Sequence, residues 1–193
     1  MKRHVGRTVS TCFYHLRRLR QLRHHVDSDT MKQLVCAFIL SRLDYCNAVL
    51  YGLPQQTISQ LQHVQNTAAR VVLGLSPRDH VRPALKELHW LPVIYRIQYK
   101  VALLMFMVHN KQCPVYLAES VASVSSDPAR QRLRSAASSD YIVPRTRTKF
   151  GERAFSVAGP RVWNSLPESV RATNTLITFK RNLKTYLFNI SFN

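Results

Sequence analysis

Acidic residues are scarce in this chain: ten Asp plus Glu stand against twenty-eight Lys plus Arg, giving a formal net charge of +18 over 193 residues. With a pI near 10.5, such a surface repels cationic partners and points to a polyanion, nucleic acid first and an anionic membrane surface second. Glycine is also sparse, at five residues, which argues against a sandwich or a phosphate-cradling α/β fold rich in tight turns and favours helix. Cys12, Cys36, Cys46 and Cys113 form no Cys-x-x-Cys pair, excluding a zinc ribbon or a thioredoxin-like motif and leaving four reduced, mostly buried thiols as the expectation. The longest apolar runs, 34–40 and 101–108, fall far short of the roughly 18 residues a membrane span requires. The acid-free stretch 1–26 has the composition of a mitochondrial presequence, but the apolar core and small-residue cleavage site of a secretory signal are missing. A nuclear or cytoplasmic, non-secreted protein is expected.

Enzymatic signatures are lacking too. The sequence holds no Gly-x-Ser-x-Gly elbow, His-Glu-x-x-His box, Walker loop or Gly-x-Gly-x-x-Gly fingerprint. His24 and His25 are adjacent, so on a helix they diverge by about 100° and make poor partners for one metal. Two-metal polynucleotide synthesis needs converging carboxylates. Asp44 stands at least 15 residues in sequence from Asp29 and from Asp79, so it is read as a residue at a helix end. Asp27 and Asp29 suit a helix start, where a carboxylate accepts backbone N–H bonds and complements the dipole. No metal or other cofactor is expected.

What is present is helical periodicity. In "CFYHLRRLRQLRHHV", Phe13, Leu16, Leu19, Leu22 and Val26 form an apolar stripe with Arg17, Arg18 and Gln21 opposite it. "DSDTMKQLVCAFILSRLDY" opens on capping candidates and carries Leu34, Val35, Phe38, Ile39 and Leu43 on one face. The stretch 57–73 repeats Ile58, Leu61, Val64, Ala68, Val71 and Val72 at three-to-four spacing and ends at Gly74, a C-cap residue. A short helix closed by Pro92 and a longer one over 93–110 complete a helical domain at 1–117. A Ser/Arg-rich linker is expected at 118–140, where seven serines fall in the 23 residues 118–140. The remainder, 141–193, reads as a small basic α+β tail, with short strands in the Pro- and Gly-broken stretch 141–167 and a terminal amphipathic helix over 175–188. The fold class is therefore mainly α. Trp90 and Trp163, each near a proline turn, are expected to anchor packing.

Positive charge is what converges. "PRTRTKFGERAF" sets Arg145, Arg147, Lys149 and Arg153 around Phe150 and Phe155, the mixture of phosphate donors and flat rings that single-stranded nucleic acid favours. If 144–149 is extended, Arg145, Arg147 and Lys149 share one face. The terminal helix adds Lys180, Arg181 and Lys184 beside the stripe Phe179, Leu183 and Leu187.

The blocks "SRLDYCNAVLYGLP", "LQHVQNTAARVVLGL", "RDHVRPALKELHWLPVIYRIQYKV", "VPRTRTKFGERAFSVAGPRVWNSLPESVR" and "TFKRNLKTYLF" resemble, in that order, the region after the polymerase palm in LINE-type non-LTR retrotransposon reverse transcriptases. The upstream "STCFYHLRRLRQLR" is similar to the same family, so the resemblance covers nearly the whole chain. It implies a helical thumb-like domain followed by the family's C-terminal tail. It also implies that the endonuclease, the fingers and the palm with its Asp-Asp metal box have no counterpart here, and that Asp44 matches a thumb block. The Cys-His zinc knuckle of some relatives is absent. The expected function is a non-catalytic fragment of an RNA-directed DNA polymerase. It would bind template RNA or an RNA–DNA hybrid, and DNA as a further candidate, through Arg17, Arg18, Arg145, Arg147, Lys149, Arg153, Lys180, Arg181 and Lys184. The alternatives are the inert product of a truncated element copy, or part of an active reverse transcriptase if a palm is supplied upstream.

Overall fold

A computed structural model of the protein describes residues 1–126 and 139–193. The described residues are mainly helical, and among them the only β pairing is an isolated antiparallel bridge between Ser123 and Tyr141. They form two compact units, Met1–Ile97 with Ile190–Asn193, and Gln98–Asn189. The composition changes at 117/118, whereas the division between units falls within a helix.

In the first unit, α1 (Lys2–Leu22) buries Val5, Cys12, Leu16 and Leu19. It packs on α4 (Gln55–Leu73), which contributes Ile58, Leu61, Val64, Ala68, Ala69, Val71 and Val72 to the same core. Between them, α2 (Ser28–Val35) runs through a π-turn at Cys36–Leu40 into α3 (Ser41–Asp44). The wider turn changes the buried register. Val35, Ile39, Leu40 and Leu43 are buried, while Phe38, expected in the core, is exposed and stacks on His15. A 3₁₀ turn at Asn47–Leu50 leads to α4, which is followed by α5 (Val81–Glu87) and then α6 (Val93–His109). A glutamine network positions the start of α6. Gln62 Oε1 accepts the Val93 N–H at 2.8 Å, and the fully buried Gln65 donates to the Leu91 carbonyl at 2.8 Å. Val93 carries one of the four amides that a helix start leaves without an intrahelical partner, so Gln62 supplies from α4 what the local sequence does not.

Gly74 closes α4 with φ +68°. A Cβ there would strike the Arg23 guanidinium, and the left-handed backbone adds a steric cost of its own. Gly74→Ala is therefore expected to lower the unfolding free energy by about 1–2 kcal/mol, measured by urea denaturation.

In the second unit, α6 continues from Gln98, followed by α7 (Val115–Ala118), a 3₁₀ turn at Gly151–Arg153, α8 (Phe155–Asn164), α9 (Glu168–Arg171) and α10 (Leu176–Phe192) as far as Asn189. The short strands expected over 141–167 are not formed among the described residues: 142–146 lie outside helix and strand, 147–153 form a bend and a 3₁₀ turn, and helix α8 takes up 155–164. Gly159 and Pro160, read as breakers, lie inside α8 and are buried. Pro160 removes one N–H donor, but Val157, Ala158, Val162 and Trp163 are buried on the same helix and hold it in place. Gly159 permits close approach of α6, since a Cβ would come within 2.6 Å of the Met105 Sδ.

Aromatic rings link the elements of this unit. Phe106 stacks on Phe179 at 4.2 Å between centroids, and Trp163 lies 6.0 Å from Phe179 and 5.2 Å from His109. The segment 139–141 is fastened to α8 by side chains that imitate a strand partner. The Asn164 Oδ1 accepts the Tyr141 N–H at 3.0 Å, its Nδ2 donates to the Tyr141 carbonyl at 2.8 Å, and Trp163 Nε1 donates to Ser139 O at 3.0 Å. Arg171 of α9 pairs with Asp140. Of the expected linker, 127–138 lies outside the described residues; Val124, just before it, is buried.

Burial and the nearby Arg171 charge lower the His109 pKa, and its Nδ1 lies 3.2 Å from the Tyr141 hydroxyl. The folded chain thus takes up this proton less readily than the unfolded chain. The stabilisation is present above the ordinary imidazole range, about pH 6.5, and is lost as pH falls through it. Wild type should lose more thermal stability than His109→Gln between about pH 7.5 and about pH 5.5; equal losses in scanning calorimetry would refute this.

Candidate nucleic-acid interface

The cations singled out in the sequence occupy exposed helix faces and one loop, apart from Arg153, which is half-buried in the 3₁₀ turn at Gly151–Arg153. In the first unit, Arg17 and Arg18 are exposed on α1. At 100° per residue they lie opposite the line of Val5, Cys12, Leu16 and Leu19, so burial of the apolar stripe forces them outward. The Arg18 guanidinium lies 5.7 Å from the centre of the Tyr14 ring. Because α1 begins at Lys2 instead of near Cys12, the same outward face gains Arg3 and Arg7, which the sequence reading did not name. Their spacing from Ser10, Tyr14 and Arg17, alternately four and three residues, was the available signal.

In the second unit, Arg145, Arg147 and Lys149 are exposed. They do not continue one extended face through Lys149. Residues 142–146 lie outside helix and strand, the chain bends at Arg147 and Thr148, and it turns at Lys149 and Phe150. The cause is local: Thr148 Oγ1 accepts the Gly151 N–H at 3.0 Å and the Thr148 carbonyl accepts the Glu152 N–H at 3.1 Å, which folds the chain into the 3₁₀ turn. This bend sets Phe150 in solvent at 79% exposure, with the Arg153 guanidinium 5.3 Å from its ring centre. A ring so exposed with a cation on its face offers a stacking surface beside phosphate donors. Phe155 is turned toward Gly159 within α8 and does not share that surface.

On α10, Phe179, Leu183 and Leu187 are buried, which places Lys180, Arg181 and Lys184 in solvent. That helix contains no acid.

The ion pairs among the described residues are Arg96–Asp44 and Arg171–Asp140. Among the described residues, none of the eleven cations named above takes part in an ion pair. Asp44 ends α3 and receives both the Nε (2.8 Å) and a terminal nitrogen of Arg96 from the first turn of α6. Asn47 donates to the same carboxylate at 3.3 Å. The aspartate therefore joins two helices as well as ending one. No group of three His, Cys, Asp or Glu that could hold a metal ion occurs among the described residues.

The thiols are all free, but only Cys12 is buried; Cys36 and Cys113 are half-buried and Cys46 is exposed, which corrects the expectation of mostly buried thiols. Burial raises the Cys12 pKa to about 11, with Arg42 opposing the rise, so this thiol stays protonated and unreactive. Among the described residues no helix is long and apolar enough to cross a membrane. No family model, curated protein or solved structure matches the chain.

Proposed function

We propose that this chain is the thumb-and-tail region of a LINE-type non-LTR retrotransposon reverse transcriptase and that it binds template RNA, or the RNA–DNA hybrid, through phosphate contacts. The observation that carries the binding reading is the set of outward-facing cations on α1, on 145–153 and on α10 that lack an acidic partner among the described residues. The ordered sequence blocks support the family assignment, and the mainly helical fold is compatible with a thumb. Polymerisation is not assigned to this chain's own carboxylates. Asp44 is committed to Arg96 and Asp140 to Arg171, so neither is free to serve a transferring phosphoryl group.

Phosphate contacts bind without reading sequence. A mobility-shift comparison of single-stranded RNA, RNA–DNA hybrid and duplex DNA at several salt concentrations tests the proposal. RNA or hybrid should bind at least as tightly as duplex DNA, with little dependence on base sequence. Failure to bind any of the three at low salt would refute it.

A further inference from the structure

The outward face of α1 carries a feature that packing does not explain. Arg3, Gly6, Arg7, Ser10, Thr11 and Tyr14 line a shallow surface depression of about 630 Å³. Its lining thus combines two cations, Arg3 and Arg7, two hydroxyls, Ser10 and Thr11, the bare Gly6, and Tyr14, half-exposed with the Arg18 guanidinium 5.7 Å from its ring centre. Arg17 extends the same line. Arg3, Arg7, Ser10, Tyr14 and Arg17 follow one another at spacings of four, three, four and three residues, so they make one stripe about 21 Å long at 1.5 Å per residue. All lie opposite the buried Val5, Cys12 and Leu16. No acid occurs in α1 to neutralise them.

Gly6 is the informative residue. A glycine within a helix costs roughly 0.5–1 kcal/mol relative to alanine, and such residues are usually retained because a neighbouring element leaves no room for a Cβ. Here a Cβ would meet nothing within 4 Å, and Gly6 is not among the residues with positive φ. Among the described residues, neither close packing nor backbone conformation requires it. With no side chain at Gly6, the space between Arg3 and Arg7, which line the same depression, is left open. Arginine recognises phosphate oxygens through its rigid fork of N–H donors, and an exposed Tyr supplies a face on which a base can stack.

We infer that the depression between Arg3 and Tyr14 seats the sugar–phosphate backbone of one nucleic-acid strand running along α1, with Arg3, Arg7 and Arg17 on its phosphates and Tyr14 against a base. This deepens the proposed function and rests on it, by adding a second track whose residues are separate from 145–153. A stripe of about 21 Å is long enough for several phosphates of one strand. The site therefore suits a strand segment better than a single mononucleotide.

The full chain and two sets of variants decide it, using fluorescence anisotropy with a labelled oligoribonucleotide over a salt series. Arg3→Gln with Arg7→Gln should flatten the plot of log K against log salt by about 1.4, which is two contacts at about 0.7 each. Gly6→Leu should weaken binding at low salt while leaving the thermal midpoint unchanged or higher, because leucine fills the depression and favours helix. A purely structural role for Gly6 would move stability and leave affinity alone. If the α1 variants bind like wild type while Arg145→Ala, Arg147→Ala, Lys149→Ala flattens the slope, the α1 track is refuted and the proposed function stands. If wild type binds no oligoribonucleotide, both fall. If Arg3 and Arg7 are needed for binding phosphatidylserine vesicles and not for RNA, the face is a lipid surface and the inference is wrong.

Discussion

Trp163→Ala should cost the second unit about 3–5 kcal/mol, the range found for removing large buried aromatics. The ring is 0% exposed. It touches the rings of His109, Tyr141 and Phe179, and its Nε1 holds the Ser139 carbonyl at 3.0 Å. Truncation would leave a cavity between α6, α8 and α10 and release the segment 139–141 from α8. At about 4–8 °C per kcal/mol for a unit of fewer than 100 residues, the midpoint should fall by at least 12 °C or so. Trp163→Phe keeps a ring in place but loses the Ser139 bond, so its loss should be clearly smaller. Base stacking on this ring is ruled out by its burial, and stability unchanged in the alanine variant with weakened nucleic-acid affinity would contradict that reading. Calorimetry on the full chain makes the comparison.

The second large effect is electrostatic. Arg145→Ala, Arg147→Ala, Lys149→Ala together should flatten the salt dependence of RNA binding by about 2, three single-strand contacts at about 0.7 each. The fold should survive, because all three side chains are exposed and the hydrogen bonds that shape this bend come from Thr148. Phe150 offers an internal contrast. Phe150→Ala removes a stacking surface without removing a charge, so it should weaken binding with little change in slope. A triple variant with an unaltered slope would make this loop an ordinary solvated surface.

Helices with regular apolar spacing were legible in the sequence. The Ile58-to-Val72 pattern and the cap at Gly74 correspond to α4, and the stripe Phe179, Leu183 and Leu187 to α10. The failures have physical causes. Gly159 and Pro160 are breakers by local propensity, but Gly159 is the contact point with Met105, and tertiary burial outweighs the lost donor of Pro160. The π-turn at Cys36–Leu40 is invisible to a 3.6-residue template, and it sends Phe38 outward. The Asp44–Arg96 pair joins residues 52 apart in sequence, and the Asn164 clamp on Tyr141 joins residues 23 apart. No local pattern encodes either. At the candidate interface the residue types were visible and their exposure followed from periodicity, yet the bend at Arg147 arises from one threonine cap, and the depression at Gly6 from empty space that a sequence does not display.

The salt dependence of wild-type affinity for single-stranded RNA is the most direct measurement of phosphate binding by the outward-facing cations. Phosphate neutralisation releases condensed counterions, so about five engaged cations should give a slope of log K against log salt near −3.5, with similar slopes for unrelated base sequences. A slope near zero, or affinity that depends strongly on base sequence and weakly on salt, would contradict it.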